Sequence, residues 1–154
     1  MFEDRLMDLQ DEYLAKPLFD ELSLMFDDHN FAWFYQSDGC YYHLLYDNQS
    51  PTSDAYQVMD QIFGRRTQRK QWVKIQVVTY GRGDADVELP VIPSGKGSYT
   101  SLFFLNDSDA KIVVGDETID FVKNRIVEFE GEIEIKSSPS SKTDRSILVL
   151  LNYF

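Results

Sequence analysis

Trp72-Val73-Lys74-Ile75-Gln76-Val77-Val78-Thr79-Tyr80 is where the chain changes its hydrophobic period. Val73, Ile75 and Val77 alternate with Lys74 and Gln76, and a period of two sends successive side chains to opposite faces of a strand. The alternation predicts one buried face and one wet face. Strands are expected downstream near 86–92, 100–106, 110–114, 117–120, 125–130, 132–137 and 146–153. Turn-forming clusters separate them: Gly81-Arg82-Gly83-Asp84, Pro93-Ser94-Gly95-Lys96-Gly97, Asn106-Asp107-Ser108-Asp109, Gly115-Asp116 and Ser137-Ser138-Pro139. About eight short strands at this spacing predict a jelly roll or sandwich rather than an α/β sheet.

Upstream of Trp72 the pattern is helical, with an aromatic interruption. Pro17 suits a first helical turn, and Leu18, Leu22, Met25 and Phe26 follow on one face of an amphipathic helix that should end near Asp28 to Asn30. FAWFYQ from Phe31 and CYYHLLY from Cys40 flank Ser37-Asp38-Gly39 and read as a hairpin. A second helix is expected after Thr52 or Ser53 as N-cap, with Ala55, Val58, Met59, Ile62 and Phe63 as its buried stripe and Gly64 as its stop. Such stripes need an apolar partner, so the helices should pack on the outside of one sheet. The whole is one mostly β domain over 1–154 with N-terminal helices, an α+β chain: residues 1–70 support it and 71–154 form the core.

Composition narrows the function. The net charge of −11 argues against nucleic-acid binding, which needs surplus Lys and Arg to neutralise phosphates. Cys40 is the only cysteine, so neither an intrachain disulfide nor a four-cysteine zinc site is expected. The acidic start MFEDRLMDLQ reads neither as a secretory signal nor as a transit peptide, and no apolar run approaches a membrane span. Arg65, Arg66, Arg69 and Lys70 form a basic patch that offers docking to an anion or an acidic partner, or serves as a solvated connector.

The order of segments resembles the iron(II)/2-oxoglutarate oxygenases, in particular the small prolyl-hydroxylase-like proteins encoded by tailed phages of cyanobacteria. The likeness is carried by FAWFYQ, YYHLLYDNQ, WVKIQVV, YTSLFFLND, GDETIDF, NRIVEFEG and DRSILVLLNYF, in that order. It implies a double-stranded β-helix, the jelly-roll or cupin-like barrel. It further implies iron held by a His-x-Asp before the YTSLFFLND segment and by a second His after NRIVEFEG, two imidazoles and a carboxylate that leave positions open for 2-oxoglutarate and dioxygen. Here the first motif falls within Leu89-Pro90-Val91-Ile92-Pro93 and the second His near Ile135, and neither stretch contains a histidine. Ile133 and Ile135 share one strand face, Glu132, Glu134 and Lys136 the other, so an apolar side chain should point inward at the second ligand position.

The chain's two histidines are His29, at the end of the first helix beside Asp27 and Asp28, and His43, within the aromatic strand. They read as a surface or capping residue and a hydrogen-bonded structural residue, respectively. Arg145 matches the family arginine that takes the distal carboxylate of 2-oxoglutarate, which marks it as an anion-binding candidate; beside Asp144 it also reads as a salt-bridged or exposed residue at a strand start. Asp84, Asp86 and Glu88 share one strand face and could hold calcium or magnesium, and Glu128, Glu130, Glu132 and Glu134 form a second acidic ladder; both more simply solubilise an outward face. Ser94-Gly95-Lys96-Gly97 lacks the spacing of a phosphate loop.

These readings lead to a non-catalytic oxygenase-like barrel with no catalytic residues, metal or cofactor, used for binding or assembly through protein partners or self-association, with neither nucleic acid nor membrane. A phage virion component is the setting considered, in the virion or host cytoplasm, and a cytoplasmic one otherwise. Eleven Phe, nine Tyr and two Trp supply interface anchors as well as core. The alternative is an iron(II)/2-oxoglutarate-dependent dioxygenase with an atypical metal site.

Overall fold

A computed structural model describes residues 7–37, 40–64, 71–83, 86–89, 97–130, 134–138, 140 and 142–154. In chain order the elements are β1 (Met7–Gln10), α1 (Lys16–Asp27), β2 (Phe34–Ser37), β3 (Cys40–Asp47), β4 (Ser50–Pro51), α2 (Tyr56–Met59) with a π-helical turn over Asp60–Gly64, β5 (Trp72–Gly81), β6 (Val87–Leu89), β7 (Tyr99–Phe104), β8 (Ser108–Val114), β9 (Glu117–Phe121), β10 (Ile126–Glu130), β11 (Ile135–Ser137) and β12 (Arg145–Tyr153).

The larger sheet runs β1-β10-β7-β12-β5-β3-β2, with β4 attached to β3, and the smaller runs β6-β11-β8-β9. All these pairings are antiparallel. The chain changes sheet at every connection from β5 to β8 and again from β9 to β12. This winding of two facing sheets is the double-stranded β-helix form of the jelly roll.

Two cores result, one on each side of the larger sheet. Between the sheets lie Val78, Leu102, Phe104, Leu148 and Leu150 from the larger and Ile112, Val114, Ile119, Phe121 and Ile135 from the smaller, each almost fully buried. On the other face Val77, Phe103, Val149 and Leu151 pack against Phe19, Leu22 and Phe26 of α1 and against Met59, Ile62 and Phe63. Each such side chain contributes on the order of 1.5–3 kcal/mol through removal from water.

Burial on both faces corrects the expectation of a wet face on β5. That strand lies in the middle of three layers: Ile75 and Val77 face the helices, and Gln76, predicted wet, faces the space between the sheets with Val78 and is only 2% exposed. The α1 stripe is also shifted: Phe19, Leu22 and Phe26 are buried, Leu18 is exposed, and the Phe19 ring meets Phe103 edge-on with centroids 6.0 Å apart. In the second helical segment Val58 is exposed, while Met59, Ile62 and Phe63 turn inward. Ala55 precedes that helix without a side-chain cap; Ser53 Oγ instead accepts a hydrogen bond from the Ala55 N–H at 3.3 Å.

Two strands were not expected, β1 and β4. All four residues of β1 are exposed, so its sequence carries no burial pattern, and it is fixed instead by tethers. Arg125 holds the Asp11 carboxylate through both Nε and Nη2, and Asn124, in the left-handed region at φ 63°, bonds both the N–H and the carbonyl of Leu14. Phe31, Ala32 and Trp33 lie before β2 rather than in it.

Candidate functional site

Leu89, the described residue of the first stretch marked for metal ligands by the oxygenase resemblance, is brought beside Ile135, which marks the second. β6 and β11 are neighbours in the smaller sheet, with Leu89 opposite Ile135, Glu88 opposite Lys136 and Val87 opposite Ser137. Leu89 and Ile135 belong to the core between the sheets and are 4% and 2% exposed, whereas Glu88, Glu134 and Lys136 are exposed. These five residues line a groove of ≈ 230 Å³. Pro90, Val91, Ile92, Pro93 and Ile133 fall outside the described residues.

Next to this pair the Tyr80 hydroxyl, on β5, donates to Ser137 Oγ on β11 at 2.6 Å, a buried bond that joins the two sheets across the interior. Burial pushes the Tyr80 phenol above its ordinary range and the Cys40 thiol up to about 11, so both stay neutral at ordinary pH. Neither is poised for acid–base or nucleophilic work.

Both histidines lie elsewhere. His43 sits on β3 opposite Val77, with Nδ1 2.6 Å from the Ala32 carbonyl and Nε2 2.7 Å from Ser53 Oγ. With Nδ1–H donating to the carbonyl, Nε2 accepts from the serine hydroxyl, and both ring nitrogens are committed. This is the structural role expected of it. His29 lies beyond the end of α1, exposed, with Nδ1 3.8 Å from Asp28 Oδ1.

Arg145 opens β12 opposite Gly81 and shares its strand face with Ile147, Val149 and Leu151, which pack toward the helices. Its side chain is therefore on the outside of the larger sheet. Nε donates to Thr79 Oγ1 at 2.9 Å, and the guanidinium carbon lies 4.9 Å from the Trp33 ring centroid. The cosubstrate role implied for Arg145 requires the interior face, which is occupied by fully buried Ser146, its Oγ 2.7 Å from Ser108 Oγ. Strand parity alone makes this difference, since neighbouring residues point to opposite faces. Asp144, weighed as the partner of Arg145, pairs instead with Arg82 at 3.1 Å.

The remaining candidates are dispersed. Arg65, Arg66, Arg69 and Lys70 lie outside the described residues, as do Asp84, Glu132 and the Ser94-Gly95-Lys96 stretch. Asp86 and Glu88 are exposed, and Glu128 accepts a hydrogen bond from the Tyr153 hydroxyl. Among the described residues no three His, Cys, Asp or Glu side chains cluster as metal ligands, and no helix is long and apolar enough to cross a membrane.

Solved structures share this architecture. A prolyl-4-hydroxylase of Pseudomonas putida matches with a TM-score of 0.65 at 14% identity, over 97% of this chain and 92% of that one. A prolyl hydroxylase from Trichoplax adhaerens, solved with a hypoxia-inducible-factor peptide fragment, matches at 0.69 and 11%, over 96% and 83%. The viral collagen prolyl hydroxylase of Paramecium Bursaria Chlorella virus-1, in its 2-oxoglutarate complex, matches at 0.59 and 12%, over 95% and 94%. The chain has the 2-oxoglutarate/iron(II) oxygenase fold. No protein-family model matches the sequence, and no curated protein matches it.

An iron centre in this fold calls for two imidazoles and a carboxylate with open positions beside them. Of the two stretches marked for ligands, the described residues are Leu89 on β6 and Ile135 on β11, saturated side chains with no lone pair to donate. The nearby carboxylates of Glu88 and Glu134 lie on the exposed face, and His43 is fully hydrogen-bonded in the helical layer. The described residues do not fit that ligand set. Sequence reasoning missed the Tyr80–Ser137 bond and the placement of Trp33 over Arg145. Tyr80 carried a usable signal, sharing its parity with inward-facing Val78; Trp33, outside any strand, carried none.

Proposed function

We propose that the chain is a non-catalytic barrel of the oxygenase fold that acts as a binding or assembly module. The observation that supports this reading is the Leu89–Ile135 pair, apolar and buried within the two stretches where the resemblance implies metal donors. A barrel interior filled in this way holds together by burial and needs no ion for folding. A phage virion is the setting proposed for such a scaffold. Its test is whether particles purified from infected cells contain the chain; particles lacking it would rule that setting out.

The fold of the matched hydroxylases favours one rival, an iron(II)/2-oxoglutarate-dependent dioxygenase with an atypical metal site. Incubation with iron(II), 2-oxoglutarate and oxygen separates the two. The module forms no succinate above the protein-free control, and iron-dependent succinate formation would establish the enzyme.

A further inference from the structure

On the outside of the larger sheet, Tyr35, Tyr41 and Thr79 are successive cross-strand partners, and Thr79 in turn accepts the hydrogen bond from Arg145. The row runs inward from the edge strand β2 over three inter-strand steps, roughly 14 Å. Tyr35 and Tyr41 are 62% and 41% exposed, and their rings meet edge-to-face with centroids 5.4 Å apart. At the inner end the guanidinium of Arg145 is held from two sides, by Thr79 and by Trp33.

What this guanidinium lacks is an anion. Of the described arginines, Arg82 is paired with Asp144 and Arg125 with Asp11, while Arg145 has no carboxylate, in a chain with 26 acidic and 15 basic residues. Its Nε is used and its two terminal amino groups are not, which leaves a planar fork with donors oriented for a carboxylate. Holding the fork in place beforehand lowers the entropy lost when an anion arrives. The adjoining tyrosines offer rigid amphipathic surface of the kind that anchors interfaces.

We propose that the Arg145–Tyr41–Tyr35 row is a docking surface for an acidic, extended peptide segment of a partner protein. Arg145 takes one carboxylate in a bidentate fork, and apolar side chains of the same segment lie on Tyr41 and Tyr35. The row favours a peptide over a small organic acid because its length matches about four extended residues at ~3.3 Å each. The proposal names a partner class for the binding-module reading and rests on it for its purpose.

The test is selection from a random-peptide display library on the folded chain, with counter-selection on Arg145→Gln. Selected peptides are then titrated by Trp fluorescence against wild type, Arg145→Gln, Arg145→Lys and Tyr41→Ala. The expected result is Asp or Glu enriched at one fixed position. Binding should weaken about tenfold or more in Arg145→Gln or when that acid becomes an amide, and less in Arg145→Lys and Tyr41→Ala. Tyr41→Ala alters an exposed side chain, so the comparison survives a misfolded arginine variant. A pool without acidic enrichment, binding unchanged by Tyr41→Ala, or glutarate alone producing the peptide's response would overturn the proposal. Selection needs no metal, so its failure leaves the module reading standing, whereas iron-dependent turnover would overturn that reading without altering the peptide result.

Discussion

Leu89 and Ile135 stand directly opposite each other across the β6–β11 pair, both buried in the core between the sheets. Their contribution is to packing, so Ile135→Ala should cost about 2–5 kcal/mol of stability through lost burial and the cavity left behind. Urea unfolding followed by circular dichroism reads this directly. An unchanged midpoint would mean that Ile135 is not part of the core.

The interior also predicts an alkaline limit. Burial raises Cys40 from 9.0 to about 11 and raises Tyr80 above 10.0. Each folded value lies above the unfolded one, so the contribution is complete below the unfolded pKa and is lost as pH rises through the folded one. Stability should therefore fall from about pH 9 upward, and Cys40→Ala should flatten the early part of the fall. An identical slope in that variant would remove Cys40 from the account.

Gln76 Nε2 is buried without a hydrogen-bond partner. An unsatisfied buried donor carries a desolvation penalty, so Gln76→Met, close in size and apolar, should stabilise the chain by ~1 kcal/mol. A clear loss of stability in thermal melts would show that the amide does needed work.

His43 ties β3 to Ala32 and to Ser53, which precedes α2. His43→Ala breaks both bonds and should destabilise by about 1–3 kcal/mol, while leaving metal content unchanged. Altered metal retention in this variant would contradict the structural assignment.

Much of the barrel was legible because period-two segments and turn clusters depend on nearest neighbours. Strands β7, β8, β9, β10 and β12 lie within a few residues of their expected positions. What was not legible depended on layers and tethers. Gln76 read as wet because one strand cannot announce that both of its faces are covered, Val77 under the helices and Gln76 between the sheets, and β1 exists because Asn124 and Arg125 hold residues more than a hundred positions away. At the site, the apolar character of Leu89 and Ile135 could be read directly, and the inward face of Ile135 followed from alternation. The face of Arg145 did not follow from its distance to Ile135, because parity is not carried across the connection between two strands.

Iron itself tests the central claim most directly. Anaerobic equilibrium dialysis of the folded chain against iron(II), with and without 2-oxoglutarate, should leave no stoichiometric metal on the protein in either condition. One iron per chain, retained more tightly when 2-oxoglutarate is present, would contradict the non-catalytic barrel and restore the dioxygenase.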